Sequence, residues 1–392
     1  MPRRPKRTAA ALADPTFDDR LFAAAKGLAA RRQVTRSVTG AYGVQAVLTD
    51  WRDDVVARAA AIDQLEALVD ERPDAAPRVA GLLSGYLREV SVEHGEEDGL
   101  WDDYLRLLAL DGDGNDAADD ALARFGLQRE EVNVLSLQER AYGVQTMRWD
   151  LELAAQVLAR LKRRNGVEVA AIGYPLKGAV LQGAKLTDAC FGLAMLHGAR
   201  LEGAILLRTD LQHANLREAR LVGARLGQAR LERAELHGAW LQGATLEGAR
   251  MERAILVEAR MAQSVLIEAQ LQGAYLVRAE MPRAYLGQAA LEGADLSDAR
   301  LEGADLSEVK CDAGTIVEGA ELRFAGVRSS DLSQVALSQD QLDAMFGDGS
   351  VALPAGLDRP AHWPDEDLGD AFHRHWQEWQ VERDYRAPAK GE

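Results

Sequence analysis

Every fifth residue between Leu176 and Cys311 is apolar, which gives 28 consecutive positions without a slip of register. These positions are leucine except at Phe191, Met251, Met261, Met281 and Cys311. The residue two earlier is alanine except at Tyr174, Thr209, Ser264 and Val309. With a step of five, the leucines would be distributed around all sides of an α-helix, and on a flat strand they would alternate between the two faces. The pattern therefore predicts an internal repeat of another kind.

We number each repeat from its apolar residue, position i. Positions i−2 and i are apolar and i−1 is usually polar, which is the alternation of a short extended segment with one face inward. Positions i+1 and i+2, often Glu-Gly or Gln-Gly, tolerate a turn. Each unit is therefore one side and one corner of a coil, and successive coils stack at the strand spacing of about 4.8 Å. The leucines form an internal ladder, and alanine at i−2 suits a narrow interior.

The units LQGAKL, LEGARM and LEGADL resemble the pentapeptide-repeat family, whose consensus is A(D/N)LXX. The resemblance implies a right-handed quadrilateral β-helix with four repeats, 20 residues, in each coil. It departs from the consensus at i−1, where Arg, Lys, Glu, Thr and Tyr are common beside Asp. We expect the β-helix to cover residues 174–337. Ile316 is expected to keep step, with one residue added before the pattern resumes at Leu322, Val327, Leu332 and Leu337.

Residues 17–165 are expected to form an α-helical domain behind a disordered basic tail, residues 1–16. The apolar stripe that begins at Val79 and ends at Val90 has helical spacing, and residues 58–91 read as helix, proline turn and helix. This segment resembles helices that often precede pentapeptide repeats in bacterial proteins. A later helix, from Met147 to Leu161, leads into the repeats and is expected to cap the first coil.

Residues 338–392 are expected to form an irregular cap and a C-terminal amphipathic helix. One stripe of this helix holds six residues: Leu368, Ala371, Phe372, His375, Trp376 and Trp379. Two alternatives stay open for it. The helix is a lid over the last coil, or its two tryptophans dock a partner or a second copy of the chain, because such a face is costly to leave exposed.

The whole chain carries a net charge of −16, which gives no bias toward nucleic acid, so no direct nucleic-acid binding is expected. Its two cysteines, Cys190 and Cys311, belong to different coils, and no disulfide framework is indicated. The absence of an 18-residue apolar run predicts no membrane span. The basic N-terminus lacks the apolar core of a signal peptide, so a bacterial cytoplasmic location is expected.

No motif predicts chemistry. Residues 111–122, DGDGNDAADDAL, resemble a calcium loop, but Asp116 replaces the required glycine and Leu122 the bidentate acid. The histidines offer no metal set, and no nucleophile with a base, phosphate loop or dinucleotide fingerprint is found. The segment AYGVQ occurs at 41–45 and again at 141–145 without an assignable role. We therefore expect no enzyme activity, no cofactor and no metal.

The outer surface of the coils offers a candidate binding surface instead. With 20 residues in a coil, one outward column holds Arg200, Arg220, Trp240, Arg260, Glu280 and Arg300, and the two neighbouring columns hold Tyr275 and Tyr285. Arginine, tyrosine and tryptophan are enriched at protein interfaces. The candidate partner-binding residues are Arg200, Arg220, Trp240, Arg260, Arg300, Tyr275, Tyr285, Trp376 and Trp379.

Charge also changes along the repeats. Residues 174–262 hold 12 basic and 9 acidic side chains, a net charge of +3, whereas residues 263–335 hold 6 and 12, a net charge of −6. Some pentapeptide-repeat proteins imitate duplex DNA with an acidic rod and bind DNA gyrase, and a rod of about 40 Å would have a suitable size. The basic first half disfavours this alternative. The favoured function is a non-enzymatic scaffold that binds an unidentified protein through the outer faces.

Overall fold

The computed structural model describes residues 15–39, 45–93, 149–164 and 176–383, together with Leu107 and Leu122. The chain divides into two units, one formed by residues 1–86 and 148–169 and the other by residues 87–147 and 170–392. Both AYGVQ segments, apart from Gln45, and the acidic loop at 111–121 lie outside the described residues. No helix in the described part of the chain is long and apolar enough to cross a bilayer.

The N-terminal elements are α1 (Pro15–Gly27), β1 (Arg31–Thr39), β2 (Gln45–Asp53), α2 (Val55–Glu71), α3 (Ala76–Glu93) and α4 (Trp149–Arg164). A short 3-10 turn at Pro73–Ala75 separates α2 from α3, so the expected helix, proline turn and helix are present. The antiparallel hairpin of β1 and β2 was not expected within a helical domain. Its sequence, with Val34, Thr35 and Val38 in one strand and Val47 in the other, is rich in β-branched residues that favour strands.

Helix α4 is joined to α2 by a bidentate ion pair. The guanidinium of Arg160 donates to both carboxylate oxygens of Glu66, at 2.8 and 2.7 Å. Leu151, Ala154, Leu158 and Leu161 are buried, which confirms the apolar stripe. The expected role of this helix as a cap on the first coil stays a prediction.

The repeats form a β-helix solenoid with 20 residues in a coil. The i−1 residues bridge in parallel every twentieth position, from Val180 with Arg200 to Ala290 with Lys310. Each ladder amide donates to the next coil, as Leu201 N does to Arg220 O at 2.7 Å. The ladder leucines and the i−2 alanines from Leu211 to Ala289 are almost completely buried. The predicted winding and internal ladder are confirmed.

Each corner is a turn in which the i−2 amide donates to the preceding ladder carbonyl, as Ala244 N does to Leu241 O at 3.0 Å. Position i+2 has a positive φ, between 54° and 67°, at every turn from Gly178 to Glu308. A positive φ at the third residue defines a type II turn. Only 11 of these 27 residues are glycine, and each of the other 16 is strained by about 1–2 kcal/mol. Burial of the ladder offsets that strain.

The extra residue lies before Ile316, and the expectation that Ile316 keeps step is wrong. Bridges change from a spacing of 20 to 21 at Asp295 with Ile316, so Ile316 occupies an outward i−1 position and is 44% exposed. Val317 fills the ladder instead. The extra residue lies in the corner after Cys311, where the Asp312 carboxylate accepts hydrogen bonds from two backbone amides. Asp312 Oδ1 accepts from Gly293 N at 2.8 Å and from Gly314 N at 2.9 Å.

The last coil is closed by α5 (Gln339–Asp343) and the residues that follow it. Ser338 caps α5, and Gln341 donates to the carbonyls of Val317 and Ala320. An apolar cavity of about 40 Å³ at this end is lined by ladder residues from Leu291 to Leu337, by the adjacent Val309, Thr315 and Val335, and by Met345. Met345 therefore closes the end of the ladder.

Helix α6 (Phe372–Glu382) covers the side of the last coil. Trp376 Nε1 donates to the carbonyl of Phe324 at 2.9 Å, and its ring leaves no room for a side chain on Gly326. Trp376 and Trp379 are only 8% and 6% exposed, within a cluster that also holds Phe324, Phe346 and Phe372. Of the two alternatives for this helix, the structure favours a covering role, although α6 lies on a side and not over the end.

Candidate interaction surface on the solenoid

Each outer face of the solenoid carries two columns of side chains. Positions i−1 and i+1 flank an inward leucine, so both side chains point out from the same face. Ion pairs between these positions demonstrate the arrangement, since Arg300 reaches Glu302 at 3.2 Å and Arg250 reaches Glu252 at 3.7 Å. We call the face that carries the predicted arginine column the Arg–Trp face. Its i−1 column runs Val180, Arg200, Arg220, Trp240, Arg260, Glu280, Arg300 and Glu321.

An arginine–tryptophan–arginine stack lies in the middle of this column. The guanidinium carbons of Arg220 and Arg260 are 5.3 and 4.5 Å from the centroid of the Trp240 ring. Each contact of this kind stabilises by about 0.5–1 kcal/mol at an exposed site. The coil spacing places the three side chains in register, so the stack follows from the 20-residue period. The sequence predicted this column correctly.

A buried carboxylate supports the lower half of the column. Glu202 is fully buried at an i+1 position, with Arg220 Nε 2.7 Å and Arg200 Nε 3.6 Å from its Oε1. Burial raises the pKa of Glu202, and hydrogen bonding and the two arginines only partly oppose that rise. The sequence analysis missed this residue. An acidic i+1 residue between two arginine i−1 residues of stacked coils is the pattern that could have identified it.

The upper half of the Arg–Trp face is acidic. Arg300 lies 3.2 Å from Glu302 and 3.5 Å from Glu321. A hydrogen bond with Glu302 raises the pKa of Glu321, and burial adds to the rise, so these two carboxyl groups share one environment. Glu280 and Glu321 are exposed. The face therefore changes sign along its length.

Tyr275 and Tyr285 do not lie on the Arg–Trp face. Tyr275 stacks beside Ile255 in the column of one neighbouring face, and Tyr285 stacks beside Val265 in the column of the other. Both tyrosines are exposed, at 51% and 45%. The predicted residues are therefore spread over three faces.

The docking role predicted for Trp376 and Trp379 is corrected by their burial. Both indoles pack within the cluster on the side of the last coil, and the ring of Trp379 stacks on His362 at 5.1 Å. Their apolar surface is covered by this chain itself. The Arg–Trp face keeps five predicted residues, Arg200, Arg220, Trp240, Arg260 and Arg300, and Glu202 supports the first two. The binding role of Tyr275 and Tyr285 on the neighbouring faces stays a prediction.

Groups of three or more metal-binding side chains are not found among the described residues. Cys311 is a free thiol. Burial, with the nearby Glu292 carboxylate, raises the pKa of Cys311 to about 12. A protonated thiol is a poor nucleophile, so Cys311 fills space at the end of the ladder.

The family model for pentapeptide repeats matches residues 176–212, 209–248, 246–281 and 283–310, in eight copies. The search of curated proteins found no match. A solved structure similar to this chain is HetL from Nostoc sp. strain PCC 7120, a pentapeptide repeat protein involved in heterocyst differentiation regulation. It is 28% identical, the match covers 49% of this chain and 90% of HetL, and the TM-score is 0.30.

Two further solved structures are similar. The pentapeptide repeat protein Rfr23 from Cyanothece 51142 is 28% identical over 28% of this chain and 64% of its own, with a TM-score of 0.19. The plasmid-mediated fluoroquinolone resistance protein QnrB1 is 18% identical over 45% of this chain and 84% of its own, with a TM-score of 0.28. All three TM-scores are low, so the assignment depends on the family match and the coil geometry. Residues 176–310 of this chain are therefore similar to the pentapeptide-repeat family.

Proposed function

We propose that this chain is a non-enzymatic scaffold that binds a protein partner through the Arg–Trp face of its solenoid. The observation that carries the proposal is the stack of Trp240 between Arg220 and Arg260 on a regular, hydrogen-bonded framework. Tryptophan and arginine are the residues most often found as binding hot spots. Arg260 is exposed, and its contact with Trp240 is its one charge or ring contact within the described part of the chain.

Rigidity is the physical advantage of this surface. Every coil is hydrogen-bonded to the coils above and below through its i−1 and ladder amides. Glu202 holds the lower arginines, and the indole holds the upper one, so these long side chains lose less entropy on binding than free arginines would. A partner with carboxylates beside an apolar side chain would match the stack.

The test is recovery of partners from native lysate by tagged full-length protein. The binding variant carries Trp240→Ala, Arg220→Ala and Arg260→Ala. The control carries Arg225→Ala, which removes an exposed arginine from the same i−1 position of the neighbouring face. We expect at least one protein to fall about tenfold or more in recovery with the binding variant alone. Identical partner sets for all three baits would refute the assignment of this face.

A second candidate is a DNA-mimicking modulator of DNA gyrase or another DNA-binding protein. Its support is the net charge of −6 over residues 263–335. Because Arg200, Arg220 and Arg260 interrupt the charge of a mimic, only the acidic end could act in this way. A supercoiling assay with purified gyrase decides between the candidates. Inhibition or protection by micromolar protein supports mimicry, and unchanged supercoiling removes it.

A further inference from the structure

The i−1 side chains of the Arg–Trp face have a definite order of charge along the solenoid axis. After the uncharged Val180 at the N-terminal end, the order is Arg200, Arg220, Trp240, Arg260, Glu280, Arg300 and Glu321. Successive side chains are one coil apart, which is about 4.8 Å. The basic residues dominate one half and the acidic residues appear only in the other.

When the column is read in the opposite direction, its charges are complementary to those of the original column. Consider a second copy facing the first with its axis antiparallel, related by a two-fold axis midway between Arg260 and Glu280. Arg260 then faces Glu280 of the second copy, and Arg220 faces Glu321. Trp240 faces Arg300, whose side chain is 41% exposed, and this pair opposes no like charges. A two-fold interface of this kind makes every contact twice.

The i+1 column of the same face permits a close approach. At its centre, Ala262 faces Pro282 of the second copy, and neither side chain carries charge. One coil further out, Gln242 faces Glu302, which is an amide donor opposite a carboxylate acceptor. No like charges oppose each other among these central pairs, so the column does not resist the contact.

Other arrangements of two copies lack this match. Parallel solenoids related by a two-fold axis along their length set each i−1 residue opposite the i+1 residue of the same coil, so Arg220 faces Val222 and Arg260 faces Ala262, and neither arginine gains a carboxylate partner. Antiparallel solenoids centred on Trp240 bring Arg220 against Arg260. A centre between Trp240 and Arg260 opposes Arg200 to Arg300. Like charges directly opposite each other are unfavourable, which disfavours these registers.

A centre between Glu280 and Arg300 also opposes unlike charges, but it overlaps only the four coils from Arg260 to Glu321 and leaves Arg220 and Trp240 outside the paired column. The register centred between Arg260 and Glu280 overlaps six coils and pairs more of the face.

We propose that a second copy of this chain binds to the Arg–Trp face, with the two solenoids antiparallel and the two-fold axis between the coils of Arg260 and Glu280. The proposal rests on the function proposed above, because it uses the same face, and it names the occupant. The six coils from Arg220 to Glu321 give a contact strip about 30 Å long. The pairs are solvent-exposed at their edges, so the affinity of the dimer falls as salt screens them.

The test is sedimentation equilibrium of the full chain. We expect a dimer at low ionic strength whose dissociation constant rises about tenfold or more between roughly 0.05 and 0.5 M salt. Arg260→Glu and Glu280→Arg each place like charges at the centre of the interface, so each alone should weaken the dimer about tenfold or more. Arg225→Glu, on the neighbouring face, should leave it unchanged.

An equimolar mixture of the two single variants gives the decisive result. In the mixed dimer, both contacts between positions 260 and 280 join opposite charges again. One contact is made by the two substituted side chains, and the other by the native Arg260 and Glu280. The mixture should therefore dimerise as well as the unaltered protein, although neither variant does so alone. A shared folding defect would not be repaired by mixing, and circular dichroism of each variant checks folding independently.

Three outcomes overturn this proposal: a monomer at all concentrations and salt conditions, single variants that dimerise like the unaltered chain, or a mixture that stays monomeric while the single variants are weakened. None of them decides the function proposed above. The proposed function is tested separately by the recovery of partners from lysate. It fails only if the variant that lacks Trp240, Arg220 and Arg260 recovers every protein, including untagged copies of this chain, as well as the unaltered bait does.

Discussion

Substitution of Gly326 by alanine should detach α6 from the solenoid. Gly326 lies in an outer column, and a Cβ added there would be 2.6 Å from Cδ2 and Cε2 of Trp376 and 2.9 Å from its Cε3. Such distances cannot be accommodated without movement of the indole. The indole is fixed from its other side, since Nε1 donates to Phe324 O at 2.9 Å and the ring packs on Phe372.

The expected magnitude lies between two limits. If the indole shifts but stays in place, overpacking costs about 1–3 kcal/mol. If the indole leaves its site, the loss approaches that of removing a buried aromatic side chain, about 3–5 kcal/mol. The contacts are with ring atoms of a buried, hydrogen-bonded tryptophan. We therefore expect Gly326→Ala to weaken the attachment of α6 to the solenoid by about 2–4 kcal/mol.

The assay is limited proteolysis of the C-terminal segment, with near-ultraviolet circular dichroism of the tryptophans. Cleavage near α6 should become about 30-fold faster or more for Gly326→Ala, which is the population change that about 2 kcal/mol produces. Gly287→Ala is the matched control, because its Cβ would meet only Ser307 O, at 3.9 Å. Equal cleavage rates and equal spectra for the two variants would refute the packing argument.

Three further predictions concern the solenoid. Burial raises the pKa of Glu202, so its contribution to the unfolding free energy should be present in full below the ordinary pKa of glutamate and be lost as the pH rises through the raised value; the unfolding free energy of the unaltered chain relative to Glu202→Gln should therefore fall between about pH 4 and 8, and a constant difference between the two proteins would contradict this. Gly248 has a φ of +60°, so Gly248→Val should lower the unfolding free energy by about 1–2 kcal/mol or more in a denaturant titration, whereas an unchanged midpoint would show that the turn is not strained. Burial and Glu292 raise the pKa of Cys311 to about 12, so its alkylation at about pH 8, followed by mass spectrometry, should be at least about tenfold slower than that of a free cysteine peptide, and equal rates would contradict its burial.

The regular part of the fold could be predicted because one short rule governs it. A leucine every fifth residue and an alanine two before it determine the coil, and the 20-residue columns then follow from the four sides implied by the family resemblance. The stack of Trp240 between two arginines was accessible for the same reason. Repetition makes every outward position comparable with the position one coil away.

The support for that stack could not be predicted in the same way. Acidic residues at i+1 range from exposed, as at Glu247, to half-buried, as at Glu232, and only Glu202, which lies beside Arg200 and Arg220, is completely buried. The fate of Trp376 and Trp379 depends on where α6 packs. An amphipathic pattern shows that an apolar face must be covered but does not show by what. The hairpin of β1 and β2 was missed because short strands without repeats carry a weak pattern.

The inserted residue shows how the columns of the outer faces stay aligned although the spacing between stacked residues changes from 20 to 21. Strict counting by 20 from Arg300 arrives at Ala320, which is buried, and would end the Arg–Trp face there. Because the addition is absorbed in a corner, where Asp312 accepts from two amides, the bridge of Arg300 is made with Glu321. A residue added to a side would instead turn the ladder outward, since successive positions of an extended segment alternate between faces. The corner insertion thus keeps an acidic residue in line with Arg300, and this residue supplies the partner that the antiparallel register requires for Arg220.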